Sequence, residues 1–366
     1  MEKILDIVDA IAGQKGLDTQ SVHAVVKQAY INTAKRILGS HLHFDAQLDE
    51  ESRTYRLFRM IEVVADDNER LSGDEDDGAI GVADALKLDS EAEIGDEIKE
   101  EISLAAFGRT AAMSLHSELE RSLQKLTEDA VYDNYKSKLG KLISGVVTRI
   151  DGDENTYIEM GEVRAVLPRK SRIKDERFRV GDTVKTIVRH VTMNMKDGIK
   201  IELSRTTPKF LEELLRLEVP EIADSSITIE RCARIPGKRA KVALSSQRPH
   251  IDPVGATIGT KGIRINAVSR ELKDENIDVI SYDETPELFI ARAMSPAAAL
   301  GVTIDGKRAI VQISGDQKAK AIGKDGINIR LASMLTGYEI ELQENGGGAN
   351  GEESDGTSLL SALFNS

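Results

Sequence analysis

The 366-residue sequence predicts an α+β multidomain chain: a helical/β N-terminal head, a five-stranded β-barrel and two tandem α/β units. Three observations support this. The chain is too long for one ordinary domain. Near Lys141 the residue pattern changes from that of amphipathic helices to that of short strands divided by glycines. The last third of the chain contains an internal repeat. We expect domains at 1–137, 138–206, 207–283 and 284–343, then an acidic, disordered tail at 344–366.

The composition restricts the function classes. One cysteine, Cys232, excludes an intramolecular disulfide and an all-cysteine zinc site and fits a reducing compartment. The N-terminus lacks the basic and apolar regions of a signal peptide, and no run of about eighteen apolar residues occurs. We therefore expect a soluble, cytoplasmic protein that does not enter membranes.

The net charge of −13 is unevenly distributed. Residues 1–136 contain 15 Lys and Arg against 29 Asp and Glu, whereas residues 137–205 contain 15 against 10. Residues 206–343 balance at 19 against 19. The acidity thus argues against nonspecific coating of nucleic acid but permits local RNA sites in the middle and later domains.

The head is predicted from its periodicity. Residues 1–40 have the spacing of two helices, and residues 42–64 alternate as two strands with a turn at Arg53. Residues 96–136 are expected to form one long amphipathic segment whose far end is a stiff connecting helix.

Two sets of possible metal ligands lie in the head. His41 and His43 form an H-x-H pair without a third ligand nearby in sequence, and we expect solvated histidines at a strand edge. The acidic run 74–77 lacks the alternating spacing of a calcium loop and is expected to be a solvated turn. We predict no metal and no cofactor.

Five strand-like segments between Lys141 and Arg205 predict a small barrel of the OB type. Such barrels bind single strands through a positive groove and aromatic stacking. Tyr157 is the best stacking candidate, and a basic cluster lies between the third and fourth strands: Arg164, Arg169, Lys170, Arg172, Lys174, Arg177 and Arg179.

The repeat is centred on two glycine loops, residues 259–262 (Gly-Thr-Lys-Gly) and 323–326 (Gly-Lys-Asp-Gly), which lie 64 positions apart. A run with helical spacing follows each loop, so each predicts a tight turn that opens a helix. Free amides and the positive end of the helix dipole would bind phosphate there, with Lys261 and Lys324 adding charge. A glycine loop that holds a nucleotide backbone is typical of the KH module. One such loop is weak support, since ordinary helix-opening turns look alike, but two in register are much stronger.

Each repeat unit is predicted to contain a helix, two strands, the glycine loop with its helix, and a third strand. The segment 301–307 reads as G-x-x-x-x-G-K, but Arg308 stands where a phosphate-binding loop needs Ser or Thr. We expect instead a hairpin with a type I′ turn at Asp305-Gly306.

The barrel resembles the ribosomal S-one RNA-binding type, whose ending is matched by Leu203-Ser204-Arg205. Glu154 and Pro168 stand where that type usually has a second aromatic residue and a histidine.

The whole order of parts resembles the NusA family of bacterial transcription elongation, termination and antitermination factors. The segments that carry the resemblance include Leu217–Ile222, Ala233-Arg234 with Pro236-Gly237, Asp252–Ala256 and Arg330–Ser333. The longer members have acidic repeats after the second KH unit, which residues 344–366 do not match.

The resemblance implies a head that docks on RNA polymerase near the RNA exit channel, and a barrel and KH units that receive nascent single-stranded RNA. It also implies other transcription antitermination factors as partners; we further expect a monomer. No step needs bond chemistry, so we do not expect an enzyme. Two other interpretations of the same modules are an RNA-processing enzyme and a ribosome-associated protein.

The predicted RNA-binding residues belong to both loops, their neighbourhood and the barrel: Gly259, Thr260, Lys261, Gly262, Arg264, Gly323, Lys324, Asp325, Gly326, Arg330, Tyr157, Arg169, Lys170 and Arg205. No catalytic residue is predicted.

Overall fold

The computed structural model describes residues 4–71, 78–161, 163–194 and 198–344. The acidic run 74–77 and the tail after Glu344 lie outside these residues. The chain forms two compact units that divide between Asn134 and Tyr135. Within the described residues, no helix is long and apolar enough to cross a membrane.

The first unit is a small sheet with helices. Its elements are α1 (Ile4–Lys15), α2 (Thr19–Leu38), β1 (His43–Asp49), β2 (Thr54–Val64), β3 (Ala79–Gly81), α3 (Val82–Ala85), β4 (Glu97–Ile102) and α4 (Gly108–Lys136). The Asp18 carboxylate caps α2 by accepting from the Ser21 amide at 2.9 Å. β2 is the central strand and pairs with the other three. The two helices in residues 1–40 and the turn at Arg53 (φ 52°) are confirmed.

The prediction of one continuous amphipathic segment over 96–136 is wrong in its first part. Residues 97–102 form β4, antiparallel to β2, with Ile98 opposite Ile61 and Ile102 opposite Leu57. Ile98 and Ile102 are four positions apart, a spacing that places two side chains on one side of either a helix or a strand. The helix starts only at Gly108, where φ is +74°. His41 and His43 are both exposed.

The second unit begins with the barrel. Its five strands are β5 (Leu142–Ile150), β6 (Thr156–Met160), β7 (Val163–Leu167), β8 (Thr183–Asn194) and β9 (Gly198–Ser204), and they close in the order β5-β6-β7-β9-β8. Alternate apolar side chains such as Val147, Ile158 and Leu203 fill the interior. A Cβ at Gly145 would lie 2.6 Å from the Glu159 carbonyl oxygen, so only glycine fits there. The five predicted strands are confirmed.

The two repeat units share one topology. The first contains α5 (Pro208–Glu218), α6 (Pro220–Ala223), β10 (Ile227–Ile235), β11 (Arg239–Ser246), α7 (Pro253–Ile258), α8 (Ile263–Glu271) and β12 (Asn276–Ser281). The second contains α9 (Pro286–Ala293), β13 (Gly301–Asp305), β14 (Arg308–Ile313), α10 (Lys318–Ile322), α11 (Ile327–Thr336) and β15 (Glu339–Glu344). In each sheet the first two strands are antiparallel and the third is parallel to the second.

Residues 301–313 form the predicted hairpin rather than a phosphate-binding loop. Asp305 pairs with Arg308 across a two-residue turn. Gly306 has a positive φ of 59° but Lys307 does not, so the turn is of the type II′ class and the predicted type I′ is wrong.

Candidate nucleic-acid interface

The two glycine loops have almost the same backbone. φ and ψ are 74° and 168° at Gly259, and 74° and 171° at Gly323. Lys261 (53°, 27°) and Asp325 (57°, 25°) adopt the left-handed region although neither is glycine. The fourth residues, Gly262 and Gly326, are also left-handed and open α8 and α11 directly. The predicted turn that opens a helix is therefore confirmed in both copies.

Each loop has two amides that find no acceptor within the described part of the chain. The Gly262 amide donates to the Gly259 carbonyl at 3.0 Å, and the Ile263 amide donates to Thr260. The Thr260 and Lys261 amides donate to no acceptor among the residues that the structure describes, and the amides of Lys324 and Asp325 are likewise free. Successive free amides in a left-handed turn form an anion-binding concavity.

Glycine is required at the start of each loop. A Cβ at Gly323 would lie 2.7 Å from the Asn328 Cβ and 2.9 Å from its amide nitrogen. A Cβ at Gly259 would meet the Arg264 Cγ at 2.9 Å. At Gly326 a Cβ would contact nothing within 4 Å, so only its φ of 69° disfavours a side chain.

The side chains between the glycines differ in charge. Thr260, Lys261, Lys324 and Asp325 are all exposed. The first loop therefore presents one positive charge, and the second presents a lysine beside a carboxylate, with no net charge of its own.

Arg264 braces the first loop. Its guanidinium donates to Glu221 at 2.9 Å and to the Ala256 carbonyl at 2.6 Å, and its side chain is 30% exposed. Asn328, which lies 64 positions later, does the same work in the second loop by donating to the carbonyls of Met294 (3.0 Å) and Ala321 (3.1 Å). Sequence reasoning missed Asn328, although the register of the repeat places it opposite Arg264. Arg330 is exposed on α11, one turn beyond the second loop.

On the barrel, Tyr157 lines a groove of about 800 Å³ together with Arg164, Arg169, Lys170 and Lys200. The Arg149 guanidinium lies 4.2 Å from the Tyr157 ring centroid. The phenol donates to Asp151 at 3.3 Å, and hydrogen bonds, chiefly from Asn155, lower the pKa of the Asp151 carboxyl. The Tyr157 ring therefore makes a cation–π contact with the Arg149 guanidinium.

The Arg169 guanidinium is paired with Glu154. Its Nε lies 3.0 Å from Glu154 Oε2, which also contacts Arg172 at 3.1 Å. Glu154 adopts a left-handed backbone (φ 61°). Lys170 is exposed beside this pair.

Arg205 does not face solvent, and the prediction of a direct RNA contact there is wrong. Its side chain is 4% exposed, and its guanidinium donates to Glu176 (2.6 Å), to Glu271 (2.9 Å) and to the Lys185 carbonyl. Phe210 lies 4.9 Å from it. Because Glu176 belongs to the barrel and Glu271 to α8, Arg205 joins the barrel to the first repeat unit.

A second buried pair supports the same junction. Arg234 and Glu275 are both 0% exposed, 2.8 Å apart. Arg234 also donates to the carbonyls of Arg205 and Thr207, and Glu275 accepts from the Gly237 amide. A Cβ at Gly237 would lie 2.8 Å from Ile173 of the barrel, so the barrel and the first repeat unit touch at this glycine.

The two repeat units share a core. Ala233, Ala243 and Ile280 of the first pack with Phe289 and Leu331 of the second. The barrel, the first repeat unit and the second repeat unit are thus packed in series.

This combination of a barrel and two tandem glycine-loop units defines an RNA-binding protein of the KH class. Family models agree: the NusA-like first KH domain matches residues 205–282, the NusA-like second KH domain matches 286–350, and the NusA N-terminal domain matches 3–129.

The relatives that carry the name transcription termination/antitermination protein NusA include the following three. The one from Helicobacter pylori is 38% identical over 397 residues and covers 100% of both chains. The one from Thermus thermophilus is 35% identical, covering 93% of this chain and 90% of its own. The one from Bacillus subtilis is 29% identical, and the match again covers 93% of this chain and 90% of the relative. The chain belongs to the NusA family, and it is an RNA-binding transcription factor.

Proposed function

We propose that this protein docks on RNA polymerase through residues 1–137 and holds nascent single-stranded RNA across the barrel (138–206) and the KH units (207–283 and 284–343). By holding the transcript it favours or prevents hairpin formation, and so alters pausing, termination and antitermination. It acts in the cytoplasm as a monomer, together with other transcription antitermination factors and without bond chemistry of its own.

The observation that carries this proposal is the pair of equivalent loops with two free amides each. Phosphate oxygens accept from Thr260 and Lys261 in one loop and from Lys324 and Asp325 in the other. The sequence of a strand bound this way is read next to the loops, where Ile258 and Ile263 are exposed apolar side chains beside the first loop.

The charge distribution supports protein binding by the head and RNA binding by the later domains. The head carries 14 more acidic than basic side chains, which disfavours contact with a polyanion and suits a basic or apolar protein surface. The basic residues accumulate in the barrel, at the rim of the groove around Tyr157.

Crosslinking to a halted elongation complex tests the proposal. We expect residues 1–137 to crosslink to RNA polymerase and the loop residues to the emerging RNA, and we expect added protein to change pause lifetimes. Equal crosslinking of RNA to the acidic head, or unchanged pausing, would count against it.

A further inference from the structure

A cavity of about 230 Å³ lies where the two KH units meet. Gly323, Lys324, Asp325 and Ile327 of the second unit form one wall. Lys238, Arg239 and Asn276 of the first unit form the other, at the turn between β10 and β11 and at the start of β12. Pockets for drug-sized ligands measure roughly 300–1,000 Å³, and this smaller cavity has room for part of a longer strand, on the scale of one nucleotide.

The first unit supplies the charge that the second loop lacks. Lys324 and Asp325 cancel, whereas Lys238 is exposed and makes no ion pair within the described residues. With Lys238 the cavity becomes net positive beside the free amides of the loop.

The first unit also supplies groups that can read a base. Arg239 is held by two 2.8 Å hydrogen bonds to Asp278, which fixes its planar guanidinium in the cavity wall. The exposed Asn276 side-chain amide makes no hydrogen bond in the described part of the chain, so its donor and its acceptor are both available. Guanidinium stacking and amide hydrogen bonds are the means by which proteins recognise unstacked RNA bases.

The chain contains a built-in comparison residue. The backbone amide of Asn276 donates to the Lys238 carbonyl, and the backbone amide of Glu339 donates to the Lys307 carbonyl in the same way. Lys307 therefore occupies in the second unit the position that Lys238 occupies in the first, but it does not line the junction cavity.

We propose that this junction is a composite nucleotide subsite, in which Lys238 and the second glycine loop hold one phosphate of single-stranded RNA while Arg239 and Asn276 contact its base. The proposal rests on the proposed function, since it assumes that the second loop binds RNA. It adds that the first unit completes the site of the second.

The test measures binding of the full chain to labelled, unstructured RNA that is long enough to span both units. Lys238→Gln should weaken binding roughly three- to tenfold and lower the slope of log affinity against log salt by about 0.7, the value for one lost contact to single strands. Lys307→Gln, with the same charge change, should leave both quantities within twofold. Asn276→Ala should leave the salt slope unchanged and reduce discrimination among poly(U), poly(A) and poly(C).

The failures are distinguishable. If Lys238→Gln and Lys307→Gln behave alike while Thr260→Asp/Lys261→Asp weakens binding, the junction subsite is wrong and the proposed function stands. If the unmodified chain does not bind RNA, both are wrong. Circular dichroism checks that the variants fold, which the exposure of all three side chains favours.

Discussion

Lys241 of the first KH unit donates a hydrogen bond from its fully buried ammonium group to the carbonyl oxygen of Ser295, which belongs to the second unit. The same ammonium lies 3.0 Å from Asp278, which also holds Arg239. A single side chain thus connects the interface between the units to the wall of the junction cavity.

Lys241→Met should weaken this interface while keeping the volume of the side chain. Asp278 keeps Arg239 as a partner and is 20% exposed, so we expect a loss of about 1–2 kcal/mol, less than for an isolated buried charge. Denaturant unfolding measures it. Lys273→Met, at an exposed position in the same unit, is the control and should change stability by less than about 0.5 kcal/mol.

The stability contributed by Lys241 should depend on pH. Burial lowers the pKa of its ammonium from the usual 10.5, against the opposing attraction of Asp278. The unfolded chain therefore binds this proton more tightly than the folded one, so the contribution rises as pH increases from the folded pKa toward 10.5. The difference in unfolding free energy between the native chain and Lys241→Met should follow this direction; a flat difference across that window would contradict it.

Arg205→Met should act on stability rather than on phosphate contacts. It leaves Glu176, 4% exposed, without its partner, and loss of one member of a buried pair costs about 3–5 kcal/mol. We expect earlier denaturant unfolding but, at temperatures where the variant is folded, an unchanged salt slope of RNA binding. A reduced slope would restore Arg205 as an RNA contact.

Glu154→Gln should strengthen RNA binding by the barrel, because it releases Arg169 and Arg172 from a shared carboxylate. Asp153→Asn removes the same charge in the same loop, where the ion pairs with arginine in the described residues belong to Glu154 and not to Asp153. We expect the RNA affinity of Glu154→Gln to be roughly threefold higher than that of Asp153→Asn, measured at two salt concentrations. Equal effects would show that only net charge matters.

Gly323→Ala and Gly326→Ala should differ. At Gly323 the new Cβ meets the Asn328 backbone at 2.9 Å, and the loop must move. At Gly326 only the left-handed backbone costs energy, about 1–2 kcal/mol. Gly323→Ala should therefore lower both the stability of the chain and its affinity for RNA, whereas Gly326→Ala should lower mainly the stability. Thermal unfolding measures the stability, and titration with RNA measures the affinity.

Local signals were sufficient for much of this fold. Strand and turn residues predicted the barrel, and the repeat predicted two loops whose backbones agree in detail. The sequence could not show the partners of Arg205, which lie 29 and 66 positions away, because a basic residue after a strand looks the same whether it faces solvent or a buried glutamate. The assignment of 97–102 failed for a related reason: a four-residue spacing fits a helix and a strand, and only pairing with β2 decides between them.

RNA affinity of the full chain against salt, with both loops carrying added negative charge, tests the central claim most directly. Thr260→Asp/Lys261→Asp combined with Lys324→Asp places carboxylates at the free amides, so binding should fall at least tenfold and the salt slope should drop by roughly 0.7 for each lost phosphate contact. A folded variant with unchanged affinity and unchanged slope would contradict the account.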